Sequence, residues 1–304
     1  MEKLEMFNDI NRWKKEKKAI ILAHYYQNDE IQDIADYVGD SLALAQIAAK
    51  TDAEIIVFCG VHFMAETAKI LSPEKKVLFP VMKAGCSMAN MINEIELAEY
   101  KKNNPDTVIV AYVNSTAKVK ALSDCCVTSS NALNIIDYYL NQGKKILYCP
   151  DQNLGKYAMH LKGYSFDVWK GFCAIHHNIK PELVDEMKSK YPNAEFVAHP
   201  ECQLDILNKA SYVGSTKQLI EYVTKSDKNE FIIGTEIGVI FEMQRRNPNK
   251  KFIPLTEKFK CHDMKLTTLV DLYNCLKDET NEIILDQEVS INAKKCLDKM
   301  LELS

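Results

Sequence analysis

Three cysteines of this chain recur at a nearly constant interval, since Cys86, Cys173 and Cys261 are 87 and 88 residues apart. None of them has a second cysteine within two to four residues, the spacing of the common zinc and iron–sulfur motifs. Isolated thiolates from three separate segments suit a metal centre that the segments share. Three protein ligands on a four-iron cluster would leave one iron open, and an open Lewis-acidic position serves substrate chemistry.

Pairs of polar residues recur in step with the cysteines. Residues 19–26 align with residues 107–114 at a shift of 88, and these align with residues 194–201 at a shift of 87. Each segment is a short apolar run that ends in two polar residues, which point to the same side of a strand. Because three copies carry such a pair, we expect the side chains to converge on one site, although a single copy would favour a core residue. The pairs are His24 with Tyr26, Tyr112 with Asn114, and His199 with Glu201.

Hydroxyl residues form a third recurring set. The same shifts carry Asp40-Ser41 onto Thr128-Ser129 and then onto Ser215-Thr216, and each pair opens a segment with helical spacing of apolar residues. A hydroxyl at a helix start acts first as an N-cap. The same position offers free backbone N–H groups and the positive end of the helix dipole, so we also expect an anion site there. Its candidate residues are Ser41, Ser129, Ser215 and Thr216.

Strands and helices alternate along the chain, which predicts an α/β fold of three similar layered domains with mainly parallel sheets. Further strands are expected at 54–59, 145–149 and 231–234. We expect the domain boundaries near the three cysteines, with 1–85 plus 262–304 as unit 1, 86–172 as unit 2 and 173–261 as unit 3. The final segment adds two helices that complete unit 1. Helical spacing of apolar residues is found at 30–38, 42–50, 88–102, 131–140, 182–190, 217–224, 265–276 and 288–301.

Composition excludes several classes of protein. A net charge of −4 gives no bulk attraction to nucleic acid. No apolar stretch is long enough to span a bilayer, and the N-terminus lacks the apolar core of a signal peptide, so we expect a cytoplasmic protein without membrane partners. Ten cysteines in a reducing compartment are not expected to form structural disulfides, which favours metal ligands or reactive thiols.

The chain resembles the quinolinate synthase family of NAD biosynthesis along nearly its whole length. The resemblance rests on many motifs in a fixed order, which makes it highly specific. The motifs are His24-Tyr-Tyr26-Gln, Gly39-Asp-Ser41, Val61-His-Phe-Met-Ala-Glu66-Thr-Ala, Ala84-Gly-Cys86-Ser-Met-Ala, Tyr112-Val-Asn114, Thr128-Ser129, Pro150-Asp-Gln-Asn-Leu-Gly155, Gly171-Phe-Cys173-Ala-Ile-His176, His199-Pro-Glu201-Cys202, Gly214-Ser215-Thr216 and Cys261-His-Asp-Met-Lys265.

The resemblance implies three α/β domains around a pseudo-threefold axis, with the active site at the centre. It implies one 4Fe-4S cluster per chain, held by Cys86, Cys173 and Cys261. The family condenses iminoaspartate with dihydroxyacetone phosphate to quinolinate, with loss of phosphate and two waters. The open iron acts as a Lewis acid, and an aspartate-oxidising enzyme is the expected source of iminoaspartate.

Roles for the side chains follow as hypotheses from this chemistry. Tyr26 and Glu201 would form the acid/base pair, with His24 and His199 assisting and holding phosphate or hydroxyl groups. Tyr112 and Asn114 would fix the half of the substrate that derives from the amino acid, and the four hydroxyl residues would hold carboxylates. His176 and Glu66 are expected near the cavity. Because Cys261 is followed by His262, and not by the Cys-x-x-Cys-x-x-Cys run of some relatives, a thiol switch there is not expected.

Two other classes of function remain open at this point. A zinc hydrolase or aldolase could use Cys173, His176, His199 and Cys202 as ligands. A non-catalytic iron–sulfur sensor would bind a cluster without needing Tyr26 and Glu201, although it would ordinarily carry a segment that binds DNA or a partner.

Overall fold

Three sheets of four parallel strands form the framework of the computed structural model, which describes residues 2–304. The strands of the first sheet are β1 (Ala19–His24), β2 (Tyr37–Gly39), β3 (Ile55–Cys59) and β4 (Lys76–Leu78). The second sheet contains β5 (Thr107–Tyr112), β6 (Cys125–Val127), β7 (Lys145–Cys149) and β8 (Asp167–Val168). The third contains β9 (Glu195–Ala198), β10 (Tyr212–Val213), β11 (Glu230–Gly234) and β12 (Lys251–Pro254).

All three sheets have the same strand order, namely β2-β1-β3-β4, β6-β5-β7-β8 and β10-β9-β11-β12. The α/β fold of three similar layered domains is therefore confirmed. The helices that alternate with the strands are α1 (Lys3–Glu16), α2 (Asp29–Ile34), α3 (Ser41–Lys50), α4 (His62–Leu71), α5 (Glu94–Asn103), α6 (Ala117–Leu122), α7 (Ala132–Leu140), α8 (Gln152–Lys162), α9 (Ala174–His177), α10 (Pro181–Lys190), α11 (Leu204–Leu207), α12 (Thr216–Lys225), α13 (Val239–Arg246), α14 (Leu269–Asp278) and α15 (Gln287–Glu302), with short 3-10 helices at Ala89–Met91 and Asp263–Lys265.

Strand register is equivalent in the three sheets. Ala23 of β1 pairs with Cys59, Ala111 of β5 pairs with Cys149, and Ala198 of β9 pairs with Gly234. The next residue along each first strand is the first member of a predicted polar pair. The equal register therefore brings the three pairs to the carboxyl edge of their own sheets, where ligands of parallel α/β sheets bind.

The strands that come first along the chain in each sheet, β1, β5 and β9, have continuous apolar sequences because they are buried. Residues 21–23, 109–111 and 196–198 are completely buried. A strand of a parallel sheet is covered by helices on both faces, so it lacks the alternation of a half-exposed strand. This cover leaves the strand ends as the place where polar side chains can meet.

Three expected helices are wrong in their extent, among them the one expected at 265–276, which starts only at Leu269. The helix expected at 30–38 ends at Ile34, because the following residues become extended and form β2 beside β1. The helix expected at 88–102 is divided into a 3-10 turn and α5. Asn93 starts α5 by accepting hydrogen bonds from the backbone N–H groups of Ile95 and Glu96, at 3.0 and 2.9 Å.

The two C-terminal helices lie against different parts of the fold. Helix α14 contacts α1 and β3 of the first sheet, whereas α15 contacts α6 and β6 beside the second sheet, and also α4. The side chains of Leu297 and Met300 on α15 are completely buried. Helix α15 therefore joins the layers of the first two sheets. No helix among residues 2–304 is both long enough and apolar enough to cross a bilayer.

The burial of α15 leads to a prediction about stability. Replacing the buried Leu297 by Ala should lower the free energy of unfolding by about 2–5 kcal/mol, because it leaves a cavity between α15 and the second sheet. Ile291 lies on the same helix and is 53% exposed, so Ile291→Ala should change that free energy by less than about 0.5 kcal/mol. Urea unfolding followed by circular dichroism measures the free energy of unfolding of both variants. Equal losses in the two variants would contradict the packing of Leu297 between α15 and the second sheet.

Candidate active site

A cavity of about 250 Å³ lies where the three sheets meet. Side chains from the strand-end loops of all three sheets line it. The sequence-predicted site residues in its wall are His24, Tyr26, Ser41, Cys86, Tyr112, Asn114, Ser129, Cys173, His199, Glu201, Thr216 and Cys261. Thus the structure brings together residues that are far apart in the chain.

Three predicted residues have other surroundings. Ser215 is completely buried behind the cavity wall, where its hydroxyl caps α12. Glu66 is buried too, but its carboxylate accepts a hydrogen bond from the backbone N–H of Ala117 at the start of α6, at 3.0 Å. Cys202 is directed away, with its sulfur 3.7 Å from the carbonyl oxygen of Gly234. His176, by contrast, lines the cavity.

The three cysteines of the cavity have the same local setting. Each sulfur lies at the start of a helical turn, where backbone N–H groups point toward it. The donors are Met88 and Ala89 for Cys86, His176 for Cys173, and Asp263 and Met264 for Cys261. Such donors favour the thiolate, which is the form of cysteine that binds metal.

Burial has the opposite effect on these thiols. It raises the pKa of Cys86 to about 12 and that of Cys261 to about 11, and it raises the pKa of Cys173 as well. Thiolates at Cys86 and the other two sites also repel one another. Three thiolates in this cavity therefore need a shared positive charge, which a metal centre supplies. The donor set is consistent with an iron–sulfur enzyme.

Glu201 is the best-connected polar side chain of the cavity. Its Oε1 accepts a hydrogen bond from the Tyr112 hydroxyl at 2.7 Å, and its Oε2 lies 2.9 Å from Nδ1 of His176. Burial would raise the pKa of Glu201, but His199, together with His176 and Tyr112, lowers it below the ordinary value. Glu201 is thus a carboxylate held by neighbouring donors. Ligand atoms of Cys173, His176 and Glu201 also lie within 4.8 Å of one another and could hold a metal ion.

Two further histidines of the wall, His24 and His199, are neutral at neutral pH. Burial lowers the pKa of His24 to about 3 and that of His199 to about 4. Nε2 of His199 lies 3.3 Å from the Ser129 hydroxyl. A neutral imidazole both donates and accepts hydrogen bonds, so these two residues can contact hydroxyl groups as well as anions.

A hydrogen-bond chain leads from Tyr26 to Glu201. The Tyr26 hydroxyl lies 2.8 Å from the hydroxyl of Thr235, which lies 2.9 Å from Nε2 of His176. The other nitrogen of His176 faces Glu201. Burial raises the pKa of Tyr26, so this phenol keeps its proton at neutral pH. The chain can carry a proton between the two groups that sequence predicts as acid and base.

Sequence reasoning missed Thr235. It directly follows β11, at the same edge of the third sheet as His199, so its position was a usable signal. The adjacent Glu236 was missed as well. It is completely buried, and its Oε1 accepts hydrogen bonds from the Cys261 backbone N–H at 3.3 Å and contacts Nζ of Lys265 at 3.4 Å.

Lys265 links this group to Tyr26, because its ammonium donates to the Tyr26 carbonyl oxygen at 2.7 Å. Gly238 leaves room for this contact between Lys265 and Tyr26. A Cβ there would lie 2.6 Å from Nζ of Lys265 and 2.9 Å from Cα of Tyr26, so only glycine permits the approach. The loop of the third cysteine and the backbone of Tyr26 are therefore fixed to each other.

Comparisons with known proteins agree with these features. The family model described as quinolinate synthetase A protein matches residues 8–302. A quinolinate synthase of Alkaliphilus metalliredigens is 49% identical over 304 residues, which cover 100% of both chains. One of Sulfurihydrogenibium sp. is 47% identical over 310 residues and 100% of both chains, and one of Synechocystis sp. is 47% identical over 99% of this chain and 96% of its own. The chain belongs to the quinolinate synthase family.

Proposed function

We propose that this chain condenses iminoaspartate with dihydroxyacetone phosphate to quinolinate, with loss of phosphate and two waters, in the biosynthesis of NAD. The observation that carries the proposal is the cavity that Cys86, Cys173 and Cys261 share with Tyr26 and Glu201. A site for this chemistry needs a Lewis acid, a proton donor and a proton acceptor beside one another. Membership of the family supports the same reaction.

One 4Fe-4S cluster, held by the three cysteines, is the proposed cofactor. The three sulfurs fit it because each has backbone donors and none has another cysteine beside it in sequence. When bound, the cluster supplies an open iron that acts as a Lewis acid toward a substrate carboxylate or hydroxyl.

Substrate binding is assigned to hydroxyl, amide and imidazole groups of the wall. Ser41 and Thr216 are the first residues of α3 and α12, where hydroxyls and backbone N–H groups can hold carboxylates. Ser129 lies three residues before the start of α7 and offers its hydroxyl, and Ser215 supports the group as the N-cap residue of α12. Tyr112 and Asn114 fix the half derived from the amino acid. The neutral His24 and His199 hold phosphate or hydroxyl groups through hydrogen bonds.

Proton transfer is assigned to Tyr26 and Glu201. The Glu201 carboxylate removes a proton beside the imine or carbonyl carbon, and the Tyr26 hydroxyl protonates a departing hydroxide. His176 and Thr235 lie between them and can return the proton from Glu201 to Tyr26 through the hydrogen bonds described above. This arrangement would let one proton serve successive steps.

The arrangement of the three units of the chain around the cavity is part of the same proposal. We propose an approximate threefold axis through the cavity, with units at 1–85 plus 262–304, 86–172 and 173–261. An aspartate-oxidising enzyme would supply the iminoaspartate. None of the ten cysteines among the described residues forms a disulfide, which suits a reducing compartment and supports a cytoplasmic location.

A zinc enzyme is the second candidate, because Cys173, His176 and Glu201 could hold a single ion. Metal analysis after anaerobic purification separates the two. About four irons per chain support the cluster, whereas stoichiometric zinc without iron supports the zinc enzyme.

The cysteine assignment predicts a sharp difference between variants. Cys86→Ala, Cys173→Ala and Cys261→Ala should each lose the bound iron and all quinolinate formation, because each removes one of three ligands. Cys149 is completely buried in β7, so Cys149→Ala should keep both the bound iron and the formation of quinolinate. Iron analysis and the visible absorption spectrum measure cluster content, and full iron in any of the three variants would contradict its assignment.

The acid/base assignment predicts that Tyr26→Phe and Glu201→Gln each lower kcat by about 10²- to 10⁴-fold, with iron content unchanged. Each variant keeps the shape of its side chain but loses the group that transfers a proton. Steady-state kinetics under anaerobic conditions measures the effect. Normal turnover with an intact cluster would rule out the residue concerned.

The role of Thr235 has a separate test. Thr235→Val removes only the hydroxyl between Tyr26 and His176, so kcat should fall by about 10- to 100-fold, a part of the general acid–base contribution. Thr67 is the matched control, since it is buried and its hydroxyl bonds only to the Phe63 carbonyl oxygen, at 2.8 Å. Thr67→Val should keep kcat, and equal kcat values for the two variants would contradict the relay.

The function itself is tested by incubating anaerobically purified protein with dihydroxyacetone phosphate and iminoaspartate generated in the assay, and by measuring quinolinate by mass spectrometry. We expect quinolinate and phosphate in equal amounts. A brown protein with about four irons that forms no quinolinate would overturn the proposal.

A further inference from the structure

Three side chains at the cavity wall or directly behind it contact one another across the three sheets. They are Asp40, which follows β2, Ser130, which follows β6, and Ser215, which follows β10. The Ser130 hydroxyl oxygen lies 2.7 Å from Oδ2 of Asp40 and 2.8 Å from the hydroxyl oxygen of Ser215. We call this group the three-loop junction.

Each junction residue is the immediate sequence neighbour of a hydroxyl residue in the cavity wall. Asp40 precedes Ser41, Ser130 follows Ser129, and Ser215 precedes Thr216. The junction and the three hydroxyls therefore lie on the same three loops, one residue apart, with Asp40 in the cavity wall and Ser130 and Ser215 behind it.

The number of hydrogens that each group can donate fixes which group is the donor in each hydrogen bond of the junction. A carboxylate only accepts, so the single hydroxyl hydrogen of Ser130 is donated to Asp40. The bond between the two serines must then use the hydrogen of Ser215, whose oxygen also accepts from the backbone N–H of Gln218 at 3.3 Å. Ser130 is thus the only member that contacts both others within the junction.

Helix capping alone does not account for these contacts. Asp40 caps α3 through Oδ1, which accepts from the backbone N–H of Ala43 at 2.9 Å, and leaves Oδ2 for Ser130. Ser130 caps no helix, since Asn131 is the N-cap residue of α7. The hydroxyl of Ser130 therefore has one evident structural use, which is to connect the three loops.

We infer that the three-loop junction positions Ser41, Ser129 and Thr216, so that their hydroxyls can contact one anionic substrate together. Hydrogen bonds weaken quickly beyond about 3.2 Å, so three hydroxyls on three sheets bind one ligand only if their loops keep a fixed separation. The junction supplies this constraint. The inference rests on the proposed function and deepens it, because it assigns Asp40, Ser130 and Ser215 to substrate affinity and not to the chemical step.

Ser130→Ala is the most direct test, because it removes the connecting hydroxyl and leaves the side-chain caps of α3 and α12 in place. We expect KM for iminoaspartate and the dissociation constant of quinolinate, the two ligands that carry carboxylates, each to rise about 10-fold, while kcat stays within about threefold. Steady-state kinetics gives KM and kcat, and isothermal titration calorimetry with quinolinate gives the dissociation constant. Ser130→Thr keeps a hydroxyl and should restore most of the affinity.

Ser123→Ala is the matched control. Ser123 is also buried in the layer of the second sheet, but its hydroxyl bonds to the Val119 carbonyl oxygen, at 2.8 Å, away from the cavity. It should leave KM and quinolinate affinity unchanged. Ser215→Gly serves as a second test variant, since glycine is tolerated at an N-cap, and it should raise both constants as Ser130→Ala does.

The outcomes separate this inference from the function on which it rests. If the wild-type protein forms quinolinate but Ser130→Ala and Ser215→Gly keep wild-type KM and quinolinate affinity, the junction has no positioning role. A lower thermal midpoint with unchanged affinity would assign it to stability alone and would likewise overturn the inference. If the wild-type protein neither forms nor binds quinolinate, the proposed function fails, and the ligand named here fails with it.

Discussion

The meeting of three parallel sheets at their carboxyl edges is the constraint on which the rest of this structure depends. Helices cover both faces of each first strand, so polar side chains can gather only where the strands end. With equal register in the three sheets, the ends of β1, β5 and β9 are reached at the same point of each repeat. One cavity then receives side chains from all three sheets.

Burying so many polar groups in one place is costly unless each finds a partner. The cavity meets this condition with contacts between sheets. Glu201 of the third sheet accepts from Tyr112 of the second, and Tyr26 of the first contacts Thr235 of the third. Such contacts both satisfy the buried groups and hold the sheets in position. On the proposed mechanism, the contact of Tyr26 with Thr235 also belongs to the path of the proton, so structural and chemical requirements coincide there.

Much of the fold could be predicted from sequence because the repeat is visible in it. The strands expected at 145–149 and 231–234 are confirmed as β7 and β11, and the three cysteines do meet in one cavity. Helix bounds were less reliable, since the pattern at 265–276 begins at the last residue of a 3-10 turn, and α14 starts only after its cap, Thr268. Local side-chain caps decided those bounds, and hydrophobic periodicity does not detect them.

Parts of the candidate site could not be predicted, for a different reason. Thr235 and Lys265 contact partners that are distant in sequence. The position of Thr235 after β11 indicated the edge of the sheet at which it lies, but not that it contacts Tyr26 and His176. Glu66 lies in a motif of the family, yet its carboxylate is used at the start of α6. Sequence thus indicated which loops reach the cavity, whereas the assignment of each side chain within a loop required three-dimensional contacts.

The claim that three repeats share one metal centre is tested most directly by X-ray diffraction from anaerobically grown crystals, with data collected at the iron absorption edge. The account predicts one compact group of iron peaks in the central cavity, bonded to the sulfurs of Cys86, Cys173 and Cys261. Iron peaks at another place in the chain, or a cavity without iron in protein that retains quinolinate synthesis, would contradict it.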